Sequence, residues 1–175
     1  MPPSPGHART AAVVAACKAG QLGAALEGSS EPGLSGTAVG IVYVWDRSGS
    51  ACTLAGPLTV TGLDQAGRPV TTSVRFVIAS GSAALSPDGT GPGKRGRMPG
   101  GEVSAAMLLI GNPALACPVQ PIDPAAWRVA LASGGSVTTP NASPVSGPAL
   151  TGRGGLTTCG RELAGQSPIL IARPP

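Results

Sequence analysis

A chain of 175 residues with 12 Lys and Arg against 8 Asp and Glu carries a formal net charge of +4, and its residues are 42% hydrophobic but only 11% charged. That balance excludes a charge-driven disordered chain. Without an RNA-binding aromatic motif or a helix-turn-helix pattern, the modest positive charge makes no case for nucleic acid. The length suits one domain, and 27 Gly and 19 Pro point to short strands joined by long loops.

Residues 1–16 read as a disordered N-terminal arm or leader remnant, and residues 17–175 as a single disulfide-stabilised domain. Within Ala11 to Leu26 a short helix and a first edge strand near Gln21 to Leu26 are both compatible with the alanine-rich composition, Gly20 and Gly23 weighing against the helix. Gly28 to Gly36 reads as a loop. Ile41 to Trp45 is an unbroken β-branched and aromatic run, as in a largely buried strand, and Asp46 to Ser50 supplies turn residues. A strand entered at Cys52 and resumed at Leu58 leads into a hairpin whose turn is Asp64-Gln65-Ala66-Gly67. Val74, Phe76 and Ile78 alternate onto one face.

Ser80 to Gly101 has no periodicity and reads as one long loop carrying the basic run Lys94-Arg95-Gly96-Arg97. Glu102 to Ile110 is a strand apolar on both faces, hence central, and Trp127 to Leu131 alternates clearly. A short edge strand near Val137 and a terminal strand Ile169 to Ala172 complete the series. The expectation is an all-β, antiparallel β-sandwich of about seven or more short strands.

Cys17, Cys52, Cys117 and Cys159 are widely spaced with no C-x-x-C pair, against a zinc knuckle or a thioredoxin-type centre. Two disulfides are expected, with three pairings open. Sequential pairing would close loops of 35 and 42 residues, each contributing about 3–4 kcal/mol. Disulfides imply an oxidising compartment, and the expectation is an exported chain in which Met1 stands in place of a removed leader. Val14-Ala15-Ala16-Cys17 has the form of a lipobox, but lipidation would leave one of the other three cysteines unpaired. No apolar run approaches the roughly 20 residues that span a bilayer, so a soluble chain without a transmembrane segment is expected.

The succession of Cys17, Trp45-Asp46, Ala51-Cys52-Thr53-Leu54-x-Gly56-Pro57, Leu63-Asp64-x-x-Gly67, Met98-Pro99-Gly100-Gly101-x-x-Ser104-Ala105, Cys117 and Cys159 ahead of Ile169-Leu170-Ile171 resembles the family catalogued as domain of unknown function 4232. Asp46 stands where that family usually has Asn, and Gly56-Pro57 lack an intervening aromatic. The resemblance implies an immunoglobulin-like sandwich with two disulfides, an exported or lipid-anchored actinobacterial source, and no catalytic residues to carry over.

Chemistry is sparse. The lone histidine, His7, falls in the N-terminal arm, against a Ser-His-Asp or Cys-His centre. The acids Glu27, Glu31, Asp46, Asp64, Asp88, Glu102, Asp123 and Glu162 stand singly. Gly91-x-Gly93-x-x-Gly96 contains Pro92 and lacks the flanking strand and helix of a dinucleotide site. No metal or other cofactor is therefore expected, and catalytic activity is not. The expected function is a secreted or cell-envelope binding or structural module, monomeric, meeting a protein or envelope ligand. Lys94, Arg95 and Arg97 form its candidate partner-binding loop. The alternatives are an accessory or inhibitory domain acting through residues 80–101, and a hydrolase using carboxylates without histidine.

Overall fold

The computed structural model describes residues 14–29, 39–78, 81–85, 103–111, 119–141, 155–165 and 169–172. A single 3-10 turn at Ala19–Gln21 precedes β1 (Leu22–Ser29), β2 (Val39–Asp46), β3 (Cys52–Ala55), β4 (Leu58–Leu63), β5 (Val74–Phe76), β6 (Ser82–Leu85) and β7 (Val103–Gly111). There follow β8 (Pro121–Ile122), β9 (Ala126–Leu131), β10 (Ser136–Pro140), β11 (Thr158–Cys159), β12 (Ala164–Gly165) and β13 (Ile169–Ala172). The chain is predominantly β, and its sheets are antiparallel except where β6 meets β7 in parallel at Leu85 and Val103. Of the two readings of Ala11 to Leu26, the edge strand is the one formed, and it runs through Gly28 and Ser29, which read as loop in the sequence.

The larger sheet runs β1-β2-β7-β6-β3, with β12 and β13 also pairing β7. Its centre is β7, as the two-sided apolarity of that segment requires: β2 lies along one edge from Val39 to Val44, and β12 and β13 along the other. The second sheet runs β10-β9-β4-β5, and β11 and β8 form a two-stranded ribbon. Consecutive β2 and β3 do not pair; the turn at Asp46 to Ser50 sends the chain to a distant part of the larger sheet.

Period-2 patterning buries one face of each sheet. Val42 and Val44 of β2 are fully buried, whereas Ile41, Tyr43 and Trp45 on the opposite face remain partly exposed. Leu58 and Val60 of β4, Val74 and Phe76 of β5, and Trp127 and Val129 of β9 are buried likewise. These residues join Leu22, Leu26, Leu54, Leu108 and Ile110 in one apolar cluster drawn from both sheets. Each fully buried large side chain contributes about 1.5–3 kcal/mol. Trp127 is the largest of them, and its indole Nε1 donates to Asn141 Oδ1 at 2.9 Å. The same oxygen accepts from Leu156 N–H at 2.8 Å, while Asn141 Nδ2 donates to the Leu156 carbonyl. One amide thus fastens β10's end to the 155–159 segment and leaves the buried indole satisfied.

The sheets also approach at their edges. β1 lies against β10 and β12 against β5. The second approach is close because position 165 has no side chain: a Cβ on Gly165 would strike Val74 and Phe76.

Cys17 and Cys52 are disulfide-bonded, with Cα atoms 4.8 Å apart, so the sequential pairing holds for this bridge. Cys159 is disulfide-bonded as well; Cys117 lies outside the described residues. Beside the first bridge, Cys17 N–H donates to the Thr53 carbonyl and Thr53 N–H to the Ala15 carbonyl, and Ala16 pairs with Thr53 in parallel. The pairing reaches ahead of the expected boundary at Cys17. Residues 82–85, expected within a loop, form β6: Ala83 and Leu85 turn into the core and the strand pairs with β3. Three small residues and one leucine give too short a pattern to be read from the sequence.

Candidate functional site

Where β1 and β10 come together they leave an open groove of about 480 Å³. Its sides are consecutive stretches of the two strands, Leu22 to Ala24 and Ser136 to Thr138, and its end is closed by Ala19 and Gly20 of the 3-10 turn. Trp45 and Arg47 complete the lining.

Trp45 is the last outward-facing residue of β2, directly opposite Gly23 of β1 in the register. A Cβ on Gly23 would stand 2.5 Å from Trp45 Cε2 and 2.6 Å from Cζ2. Ordinary carbon contacts lie at about 3.5–4.0 Å, so glycine is what lets the indole lie across the β1 backbone. The ring thereby reaches the groove from the neighbouring strand.

Arg47 follows, outside the strand. Its backbone N–H donates to the Gln21 carbonyl at 2.8 Å and its Nη2 to the Gly20 carbonyl at 3.3 Å. Gln21 in turn accepts from Lys18 N–H and donates to Ser48 Oγ. The guanidinium is therefore anchored by one nitrogen while its other donors stay available at an exposed position. With the exposed Ser136 and Thr138 across the groove, the lining combines an aromatic ring, a fixed cation and hydroxyls. Such a surface can stack a flat or ring-shaped ligand and hydrogen-bond its polar groups.

Asp46, between these two residues, points the opposite way. It is fully buried; Oδ1 accepts Ser48 N–H at 2.7 Å, and Oδ2 has no partner among the described residues. The first contact shapes the turn that aims Arg47.

Other acids lie apart. Asp64 closes its hairpin turn by accepting Ala66 and Arg68 N–H and pairing with the Arg68 guanidinium at 2.8 Å. The Arg68 N–H above all, helped by the Arg68 side chain, holds that carboxyl below its ordinary range. Asp123 accepts from Thr157 Oγ1. No three His, Cys, Asp or Glu side chains gather as a metal site among the described residues, and no helix there is long and apolar enough to cross a membrane.

Lys94, Arg95 and Arg97, the loop expected to meet a partner, lie outside the described residues. The groove residues were not anticipated as a site. Trp45 and Gly23 were each legible alone, but their apposition depends on a strand register that the sequence does not spell. Comparison with protein-family models, with curated proteins and with solved structures found no match to this chain.

Proposed function

We propose that this chain is an exported, non-catalytic binding module of the bacterial cell envelope, an immunoglobulin-like sandwich that takes its ligand in the groove between β1 and β10. The observation that carries the reading is the Trp45 ring laid across Gly23 beside the anchored Arg47. An indole held partly exposed at a concave seam, next to a cation with spare donors, suits recognition. The Cys17–Cys52 bridge supports an extracytoplasmic location, since such bonds persist in oxidising compartments. Kinship with the domain of unknown function 4232 family rests on the sequence resemblance alone and fits the same reading.

The test uses the two tryptophans. Trp127 is fully buried and hydrogen-bonded, so ligand-dependent emission reports Trp45. Titrating the oxidised protein with solubilised envelope fractions should change that emission and protect it from acrylamide, and Trp45→Phe should abolish the change. Unaltered emission with every fraction would refute the groove as the binding site.

A further inference from the structure

The outward face of the β10-β9-β4-β5 sheet continues the groove. In register across it run Thr138, Arg128 and Thr61, and beside them Ser136, Ala130, Thr59 and Arg75. Thr138 and Ser136 also line the groove, together with Arg47, so the two surfaces meet along β10.

The outward positions of these four strands supply two guanidinium groups and no carboxylate. Arg75 is exposed and Arg128 partly so, and neither has an acidic partner: the one ion pair among the described residues is Arg68 with Asp64, in the turn beyond β4. In Arg128's row Thr61 is buried, its Oγ1 bonded to Ser73 Oγ at 2.7 Å, so the hydroxyls open on this face are those of Ser136, Thr138 and, in part, Thr59. Two strands and two residues separate Arg75 from Arg128, roughly 12 Å between Cα atoms. The face from β10 to β5 is about 14 Å wide at ordinary strand spacing. Cations set apart at that interval, without an acidic partner among the described residues and with hydroxyls beside them, match a linear chain bearing repeated anionic groups, because each guanidinium can grip one carboxylate through two N–H donors.

Trp45 decides the rest of the ligand's chemistry. An aromatic face at the end of a cationic track stacks on a sugar ring, which a polyphosphate chain does not offer.

We infer that Arg75, Arg128 and Arg47 form one track for an acidic polysaccharide, its carboxylates held across the β-sheet face and one sugar ring seated against Trp45. This rests on the binding-module reading above and names its ligand class.

The experiment titrates the full oxidised chain with oligogalacturonate, dextran, inorganic polyphosphate and vesicles of phosphatidylglycerol, following Trp45 emission and binding at two salt concentrations. Oligogalacturonate should bind with a change in Trp45 emission and weaken as salt rises. Arg75→Gln and Arg128→Gln should each weaken it about fivefold and flatten the salt dependence, with the unfolding midpoint in urea unchanged. Equal oligogalacturonate binding by wild type and both variants would overturn the track. Dextran binding as well as oligogalacturonate would overturn it while leaving the groove reading intact. Polyphosphate or vesicles binding as tightly, with unchanged Trp45 emission, would show a charge effect alone and overturn it too. If envelope fractions perturb Trp45 but none of the four probes does, the track falls and the groove survives; if nothing perturbs Trp45, both fall.

Discussion

Gly23→Ala is the sharpest perturbation of the proposed site, because its sign depends on a single contact. The new methyl carbon would sit 2.5 Å from Trp45 Cε2 and 2.6 Å from Cζ2, so the indole must retreat by about 1 Å to reach normal contact. Crowding of this kind costs about 1–3 kcal/mol. The ring is only partly buried and can move outward, which places the expected loss near 1–2 kcal/mol. With Trp45 already replaced by alanine the methyl group has room, and Gly→Ala then stabilises by about 0.4–1 kcal/mol through the unfolded chain. The substitution thus changes sign between backgrounds, a coupling of about 2 kcal/mol. Urea unfolding followed by circular dichroism, on the four oxidised proteins of the cycle, measures it. Gly23→Ala alone should also make Trp45 more accessible to acrylamide while Trp127 stays shielded. An effect of the same sign and size in both backgrounds would refute the packing of Trp45 on Gly23, and with it the geometry of the groove.

Three further outcomes follow from the contacts described. Replacing both Cys17 and Cys52 by alanine opens a closed loop spanning a sequence separation of 35 and should lower unfolding stability by about 4 kcal/mol, read from the urea midpoint against wild type under non-reducing conditions. Asn141→Ala strands the Trp127 indole N–H in the core and frees Leu156, for an expected loss of about 2–3 kcal/mol and a shifted Trp127 emission; Asn141→Asp, which keeps the acceptor, should lose less. Asp64 has its folded-state pKa lowered, chiefly by the Arg68 N–H, from an ordinary 3.8. Its contribution to stability is therefore complete above that value and fades as pH falls through the lowered one, so NMR titration should find its midpoint below 3.8 and Asp64→Asn should flatten acid sensitivity in that window.

Much of the fold could be read from alternation. Val74 to Ile78 and Trp127 to Leu131 declare strands because every second residue has to enter a core, Ile41 to Trp45 by its unbroken β-branched and aromatic run, and Glu102 to Ile110 declares a central strand because both its faces are apolar. The pairings were not legible. β2 finds β7 more than fifty residues away in sequence, a choice made by the whole core rather than by either segment. β6 is not legible because Ser82 to Leu85 is only four residues long and offers a single large apolar side chain, Leu85. The groove escaped for a related reason: its glycine and its tryptophan belong to different strands, and only the register of β1 on β2 sets one upon the other. The turn at Asp64 is legible in the sequence, since it is closed by its own neighbours Ala66, Gly67 and Arg68.

The covering of β3 has a consequence for how this molecule fails. The strand's outer ladder groups are taken up by the leading segment at Ala15 and Cys17, and the sulfur bridge keeps that segment in place. A reductant that releases it would bare a sticky margin next to Leu54, a template on which a second copy could dock its own backbone. Cloudiness and oligomers should then precede loss of β signal, so the cross-link acts as a guard against self-assembly as well as a brace.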